Sequence, residues 1–423
     1  VQSESDNEEL ITVDRGKFTL KDFKVWREVL KGNFLTLLVS WIVWRFSMRL
    51  AQPYRSPFII DVLGGSATII GLMSSASSII RFIVLIPGGY IADRWGRKRI
   101  ISIMTFFMAV SYLFYAFAFD WKWAFLASII SAVAGIYMPA LRAMTADSLS
   151  PEYRGMGFTL QSYLPSIPAI FSPAIGALLI QYYGFDFGIR IAFTLQFISG
   201  TTAAIIRTLF LKETMTVRSA EKVSIKKAII DLVEALREAP KEIWCILIAL
   251  FTGALGQTIG QFRILYYTQV RGLDVFSWGL ILTISNALSI LLGIAVGFMI
   301  DRYGRRRMSI LLSLSLMLSS ILFITSYDFY TFLIAVTAIS VTRSGLAAGL
   351  RTLQADLTPR RLRGRINAAG LMLNQLLLIP IGYIAGAGYE INPATPFFID
   401  IFFSALTAIL LLTMVKEPKQ VYY

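Results

Sequence analysis

Apolar residues in this chain run in long blocks separated by short polar connections, rather than in amphipathic stripes. A helix needs about 20 such residues to cross the hydrocarbon core of a bilayer, so each block predicts one spanning helix. Twelve can be placed, at approximately 33–60, 66–92, 99–118, 122–148, 155–182, 187–211, 242–268, 275–300, 308–326, 329–357, 364–388 and 395–415. Six precede a polar segment at 212–241 and six follow it. The pattern predicts an all-α polytopic membrane protein. An N-terminal segment, 1–32, leads into a six-helix bundle, 33–211; a linker, 212–241, joins it to a second bundle, 242–415, and a tail, 416–423.

Two further segments carry helical periodicity without the length to span. Phe18, Leu20, Phe23, Trp26, Val29 and Leu30 alternate with Lys17, Lys21, Lys24, Arg27 and Lys31. Ile225, Ile229, Leu232, Val233 and Leu236 recur among Lys226, Lys227, Glu234 and Arg237. Each has two readings: an amphipathic helix on an anionic cytoplasmic leaflet, or one packed on the bundle. No apolar run precedes the first span, so no cleavable signal peptide is expected.

Composition agrees with lipid as the solvent: 56% apolar, 16% charged, mean hydropathy +0.65. The net charge of +14 would suggest nucleic acid for a soluble chain. Here its distribution says otherwise. One set of connections carries Arg94, Arg97, Lys98 and Arg99, then Arg154, then Arg302, Arg305, Arg306 and Arg307, then Arg360, Arg361, Arg363 and Arg365. The alternate set is acidic and aromatic, with Asp61, Asp120, Asp186, Asp274, Asp328 and Glu390. Basic residues favour the cytoplasmic side, which places both termini there, in a cell membrane. The expected partners are a small molecule and the lipid bilayer, not nucleic acid, and a monomer is compatible with all of this. Histidine is absent and Cys245 is the single cysteine. No metal site, cofactor or catalytic constellation is therefore expected, and no enzyme activity.

One hairpin occurs twice. Gly89-Tyr-Ile-Ala-Asp93-Arg94-Trp-Gly96-Arg97-Lys98-Arg99 returns as Gly297-Phe-Met-Ile-Asp301-Arg302-Tyr-Gly304-Arg305-Arg306-Arg307, an offset of 208 residues between Asp93 and Asp301. A second pair is in register: Leu141-Arg-Ala-Met-Thr-Ala-Asp147-Ser-Leu-Ser-Pro151-Glu-Tyr-Arg154-Gly155 parallels Leu350-Arg-Thr-Leu-Gln-Ala-Asp356-Leu-Thr-Pro359-Arg-Arg-Leu-Arg363-Gly364. These loops resemble the signature loops of the major facilitator superfamily, and the resemblance covers residues 33–415. It implies two pseudo-symmetric six-helix bundles that rock about a central site. It also implies that Arg97 reaches Asp147 and Arg305 reaches Asp356. Asp93 would face the start of the eleventh helix and Asp301 that of the fifth, latching the halves when the cavity faces outward. The alternative is that the loops only set turn shape and topology. From the residues themselves, Gly96 and Gly304 suit a sharp turn, and Gly89 and Gly297 suit close helix approach.

Cargo chemistry is sought in the spans. Arg45 and Arg49 lie in the first, Arg81 in the second and Arg343 in the tenth; Arg55 and Arg263 occupy matching positions in the first and seventh. An arginine at the bilayer centre costs about 3 kcal/mol or more, so these should face water or a partner. The spans read as free of deep carboxylates, which leaves an anionic ligand as the counter-charge. Helical spacing puts Arg45, Arg49, Gln52 and Ser56 on one stripe, Gln257 and Gln261 on another, and Asn367 and Asn374 on a third. The expected substrate contacts are Arg45, Arg49, Gln52, Gln257, Gln261, Arg263, Arg343 and Asn374. The competing readings are snorkelling for Arg45, a backbone partner for Arg81 and an Asp61 partner for Arg55. Two departures from the family's proton-driven exporters weaken proton antiport: Ala127-Ser128 ahead of Pro139 carries no arginine, and Ser172-Pro-Ala-Ile-Gly176-Ala replaces a glycine-rich motif. No phosphate-binding Gly-x-x-x-x-Gly-Lys-Ser/Thr loop exists, so ATP hydrolysis is not expected. The expected function is secondary transport of a small organic anion. The alternatives are efflux of varied amphiphiles, or sensing without transport.

Overall fold

The computed structural model describes residues 29–215 and 225–415, apart from the side chains of residues 86, 89–90, 92–93, 225–229 and 360. Fourteen helices carry the fold among them. The first half holds α1 (Gly32–Val62), α2 (Ala67–Trp95), α3 (Arg97–Ala116), α4 (Trp121–Asp147), α5 (Arg154–Tyr163), α6 (Ser172–Tyr183) and α7 (Phe185–Phe210). Then come α8 (Ile225–Glu238), α9 (Lys241–Val270), α10 (Val275–Tyr303), α11 (Arg305–Thr325), α12 (Phe329–Leu357), α13 (Arg363–Ile391) and α14 (Thr395–Thr413).

Eleven of these are long and apolar enough to span a membrane. The remaining crossing, the fifth, is broken into α5 and α6. Pro165, Pro168 and Pro173 each lack an N–H, and two short 3₁₀ turns, Leu164–Ser166 and Pro168–Ile170, fill the gap. The fold is thus a twelve-crossing, all-helical membrane bundle. Pro380, by contrast, sits inside a continuous α13.

The acidic connections have a local cause. Asp120, Asp274 and Asp328 are the N-caps of α4, α10 and α12, each accepting backbone N–H groups of the first turn. A carboxylate there satisfies orphan donors and the positive helix end. At the opposite end, α2 turns into α3 through Gly96 at φ +94°, and α10 into α11 through Gly304 at φ +95°. Only glycine takes that backbone without strain, which is why both copies of the hairpin carry it.

Of the two glycines expected at close helix approach, Gly297 is not at one and Gly89 lies outside the described side chains. Open space surrounds the Cα of Gly297, whereas Gly71 on α2 lies against the backbones of Gly382 and Gly386 on α13. That contact and the seating of Gly279 (α10) on Pro173 and Ala177 (α6) form the seam between the halves. Six hydrogen bonds among the described residues cross it. Four run from Thr68 N to Glu390 Oε1 (2.8 Å), Gln269 Nε2 to Asp61 Oδ1 (3.0 Å), Ser75 Oγ to the Ile379 carbonyl (2.6 Å) and Ala174 N to Thr283 Oγ1 (3.1 Å). The other two reach the cavity described below. All lie between mid-span and the acidic-loop end.

Of the two amphipathic segments, the one at 17–31 lies outside the described residues except for its last three positions. The linker segment forms α8 and packs on the second half: Ala235 is buried, Glu238 pairs with Arg361, and the Leu236 carbonyl accepts the Trp244 indole N–H at 3.2 Å.

Candidate functional site

A cavity of about 330 Å³ opens between the halves, near mid-span. Its wall on α1 is a helical stripe: Trp41, Trp44, Met48, Gln52, Arg55 and Ile59 follow one another at three- and four-residue steps. Ser74, Ser77, Ser78 and Arg81 from α2 face this stripe, and Gln257, Thr258 and Gln261 from α9 close the far side. Tyr112, Tyr115, Tyr137, Phe193 and Gln196 line its inner surface together with the apolar Ile70, Met73, Met108, Met138 and Leu378.

The lining carries two arginines and no carboxylate. Arg55 donates to Gln261 Oε1 at 3.5 Å, and Gln261 passes the interaction on to Ser74 Oγ at 2.7 Å. These two bonds also join the halves. Arg81 has no hydrogen-bond or ion-pair partner among the described residues, and it lies within electrostatic reach of Arg55. Two cations thus face one space of mixed lining, furnished with amide and hydroxyl groups beside methionine and aromatic side chains. The chemistry suits an acceptor-rich anion, since a guanidinium fork matches a carboxylate or phosphate.

The structure brings Gln52, Gln257 and Gln261 to this wall; Arg45, Arg49, Arg263, Arg343 and Asn374 are not part of it. For Arg45 and Arg49 the reason is helical phase. Each follows a wall residue, Trp44 or Met48, by one position, a rotation of about 100° around α1. Both are half-buried beside one another, away from the cavity.

Arg343 is withdrawn by a partner that the expectation of carboxylate-free spans overlooked. Asp400, 1% exposed inside α14, receives Arg343 Nη2 on both oxygens, at 2.8 and 2.7 Å. Ser320 Oγ donates to Asp400 Oδ2 at 2.9 Å, and Arg343 Nη1 donates to the Thr252 carbonyl at 2.5 Å. Arg263 lies within electrostatic reach of this pair, with its Nε buried and unpartnered. Asn374 is half-buried on α13.

Among the gating residues, Arg97 pairs with Asp147 and Arg305 with Asp356. Each pair joins helices of the same half. Asp301 is exposed and forms no ion pair among the described residues. The Asp93 side chain lies outside the description. Arg55 does not pair with Asp61, whose Oδ1 accepts Gln269 instead.

A buried group that sequence reasoning missed stands behind the cavity wall. Arg207 on α7 is fully buried, donating to Ser40 Oγ (3.0 Å) and Thr105 Oγ1 (2.7 Å). Its guanidinium carbon lies 5.2, 5.4 and 5.9 Å from the ring centroids of Trp41, Trp44 and Tyr137. Three π faces take the place of a carboxylate. The available signal was Ser40-Trp41 and Trp44 in one apolar block, polar and π groups one turn apart.

Two repeated halves of membrane-spanning helices with a cavity at their seam define the architecture of a two-bundle integral membrane protein. The chain belongs to the Major Facilitator Superfamily, whose family model matches residues 33–297 and 274–422. It is similar to the Uncharacterized MFS-type transporter YqjV of Bacillus subtilis, 26% identical over 36% of this chain. The chain spans only 37% of the length of that relative. Multidrug resistance protein 2 of the same organism is 22% identical over 75% of this chain and 82% of its own length. Among solved structures, the nucleoside transporter NupG matches with TM-score 0.67 at 15% identity, over 90% of this chain and 97% of its own. The human organic anion transporter MFSD10 (TETRAN) matches with TM-score 0.64 at 16% identity, over 91% and 99%. Identities this low speak for the fold alone.

Proposed function

We propose that this carrier moves a small organic anion by alternating access, with Arg55 and Arg81 as the anion-binding pair. The observation behind this reading is the cavity itself: two guanidinium groups and no carboxylate among its lining residues. Its volume of about 330 Å³ suits a metabolite-sized cargo. The basic loops lie on the cytoplasmic side of the cell membrane together with both termini. The seam closed at the acidic-loop end then belongs to a state shut toward the outside. Gradients or exchange drive the cycle, and no bond of the cargo is made or broken.

The test is uptake into proteoliposomes of a panel of carboxylates and phosphate esters, with Arg81→Gln and Arg55→Gln as variants. A charge-assisted hydrogen bond is worth about 1.5–3 kcal/mol, so each variant should weaken apparent affinity about 10- to 100-fold. Unchanged transport of every accepted anion by Arg81→Gln would remove the assignment.

A second reading, efflux of amphiphiles, draws on Met48, Met73, Met108 and Met138 in the same wall, which can re-pack around varied shapes. Selective protection of drug-sensitised cells against neutral amphiphiles, without anion flux, would favour it.

A further inference from the structure

A groove of about 640 Å³ runs down the outer face of the first half, between α3 and α7. Its upper end is basic and its lower part apolar. Lys98 and Arg99, Ser102 and Ile103, and Phe106 and Phe107 descend one face of α3 as adjacent pairs repeating every four residues. From Lys98 to Phe107 the helix rises about 13 Å, close to the depth of one leaflet's hydrocarbon, about 15 Å. Phe106, Phe107 and Ile205 are 47%, 52% and 52% exposed along it.

The polar end is furnished but unsatisfied. Ser102 is 7% exposed, and its Oγ has no hydrogen-bond partner, although it lines the groove. Neither the Lys98 ammonium nor the Arg99 guanidinium forms an ion pair or hydrogen bond among the described residues. The one carboxylate present, Glu213, is engaged by backbone: Oε2 accepts Lys98 N at 3.0 Å, and Oε1 accepts Thr214 N and Met215 N at 3.1 and 3.2 Å. The net charge of the end remains positive.

The duplicated hairpin supplies an internal comparison. Arg306, the counterpart of Lys98, donates to the carbonyls of Leu411 and Leu412 at 3.0 and 2.8 Å, closing the end of α14. In the first half no such carbonyls take up the cation among the described residues, and a groove stands in their place.

We propose that this groove binds one anionic phospholipid. The phosphate sits between Lys98, Arg99 and the Ser102 hydroxyl, and an acyl chain lies along Ile103, Phe106, Phe107 and Ile205. A soluble anion would use the basic end and leave the apolar length bare. A zwitterionic lipid would use the length but bring its own cation to the basic end.

The experiment is native mass spectrometry of the purified full chain in neutral detergent, titrated with phosphatidylglycerol, phosphatidylcholine or inorganic phosphate. The expected result is one tightly retained phosphatidylglycerol. Arg99→Gln, an exposed position, and Lys98→Gln should each weaken it about five-fold, on the scale of about 1 kcal/mol per cation at a membrane surface. Ser102→Ala should weaken it less, and Arg307→Gln in the second half should leave it unchanged. Equal retention of phosphatidylcholine would overturn the proposal. So would full displacement by millimolar phosphate, or retention unaltered in Arg99→Gln and Lys98→Gln.

Discussion

Removing the charge of Asp400 tests the most deeply buried ion pair among the described residues. The carboxylate is 1% exposed and takes both oxygens to Arg343, with Ser320 as a third donor. In Asp400→Asn the shape is retained, but one of the two acceptor positions becomes a donor facing Arg343 or Ser320. The guanidinium is left as an uncompensated buried charge, with Arg263 adding repulsion nearby. Breaking a buried pair in this way costs about 3–5 kcal/mol. Asn keeps one acceptor, so the lower figure, about 3 kcal/mol, is expected. At about 2–4 °C per kcal/mol for a unit the size of one half, the unfolding midpoint should fall by roughly 6–12 °C. The assay is thermal unfolding of the purified protein in detergent, followed by intrinsic fluorescence. The double variant Arg343→Met/Asp400→Leu should recover most of the loss, because it removes both charges and fills the volume. A midpoint for Asp400→Asn within a degree of the parent would refute the reasoning.

Two further outcomes follow from local geometry. At Arg207, the two hydroxyls it touches already donate to their own helix carbonyls, Ser40 to Leu37 and Thr105 to Ile101. Arg207→Met should therefore unfold close to the parent, whereas Arg207→Ala should lose about 2–4 kcal/mol through the void it leaves, as read by the same melts. At Gly96, with φ +94° and ψ 140°, any side chain is strained, and an added Cβ would also crowd the Glu213 carboxylate that holds the start of α3. Gly96→Ala should cost about 1–3 kcal/mol, checked by melting the variant beside the parent.

The fold was largely legible in the chain because its signals are local. A block of apolar residues long enough to cross is a property of one segment, and the repeat from Asp93 to Asp301 needs no three-dimensional knowledge. The fifth crossing was legible in the same way: length and hydropathy announce a span, and Pro165, Pro168 and Pro173 announce its kink, which the structure deepens into a break. The site was less legible because cavity residues are selected by helical phase. Gln52 belongs to both the expected stripe and the real one, but Trp44 and Arg55, not Arg45 and Arg49, continue it. Asp400 was passed over because a single carboxylate in an apolar block reveals no partner, and its partner lies 57 residues away on another helix. Arg207 was missed for the converse reason: its compensation comes from rings, which a search for opposite charge does not see.

The glycine contact between α2 and α13 sets how readily the halves would tilt in the proposed cycle. Where Gly71 meets Gly382 and Gly386, backbone rests on backbone, with the Ser75 hydroxyl as the side-chain group packed beside it. Six hydrogen bonds hold that end, and at about 0.5–1.5 kcal/mol net each they amount to roughly 3–9 kcal/mol. Turning a two-state population from 1:99 to 99:1 takes about 5.5 kcal/mol of differential binding. In the proposed transport cycle the seam is a light catch, of a strength that the cargo's own binding energy can release.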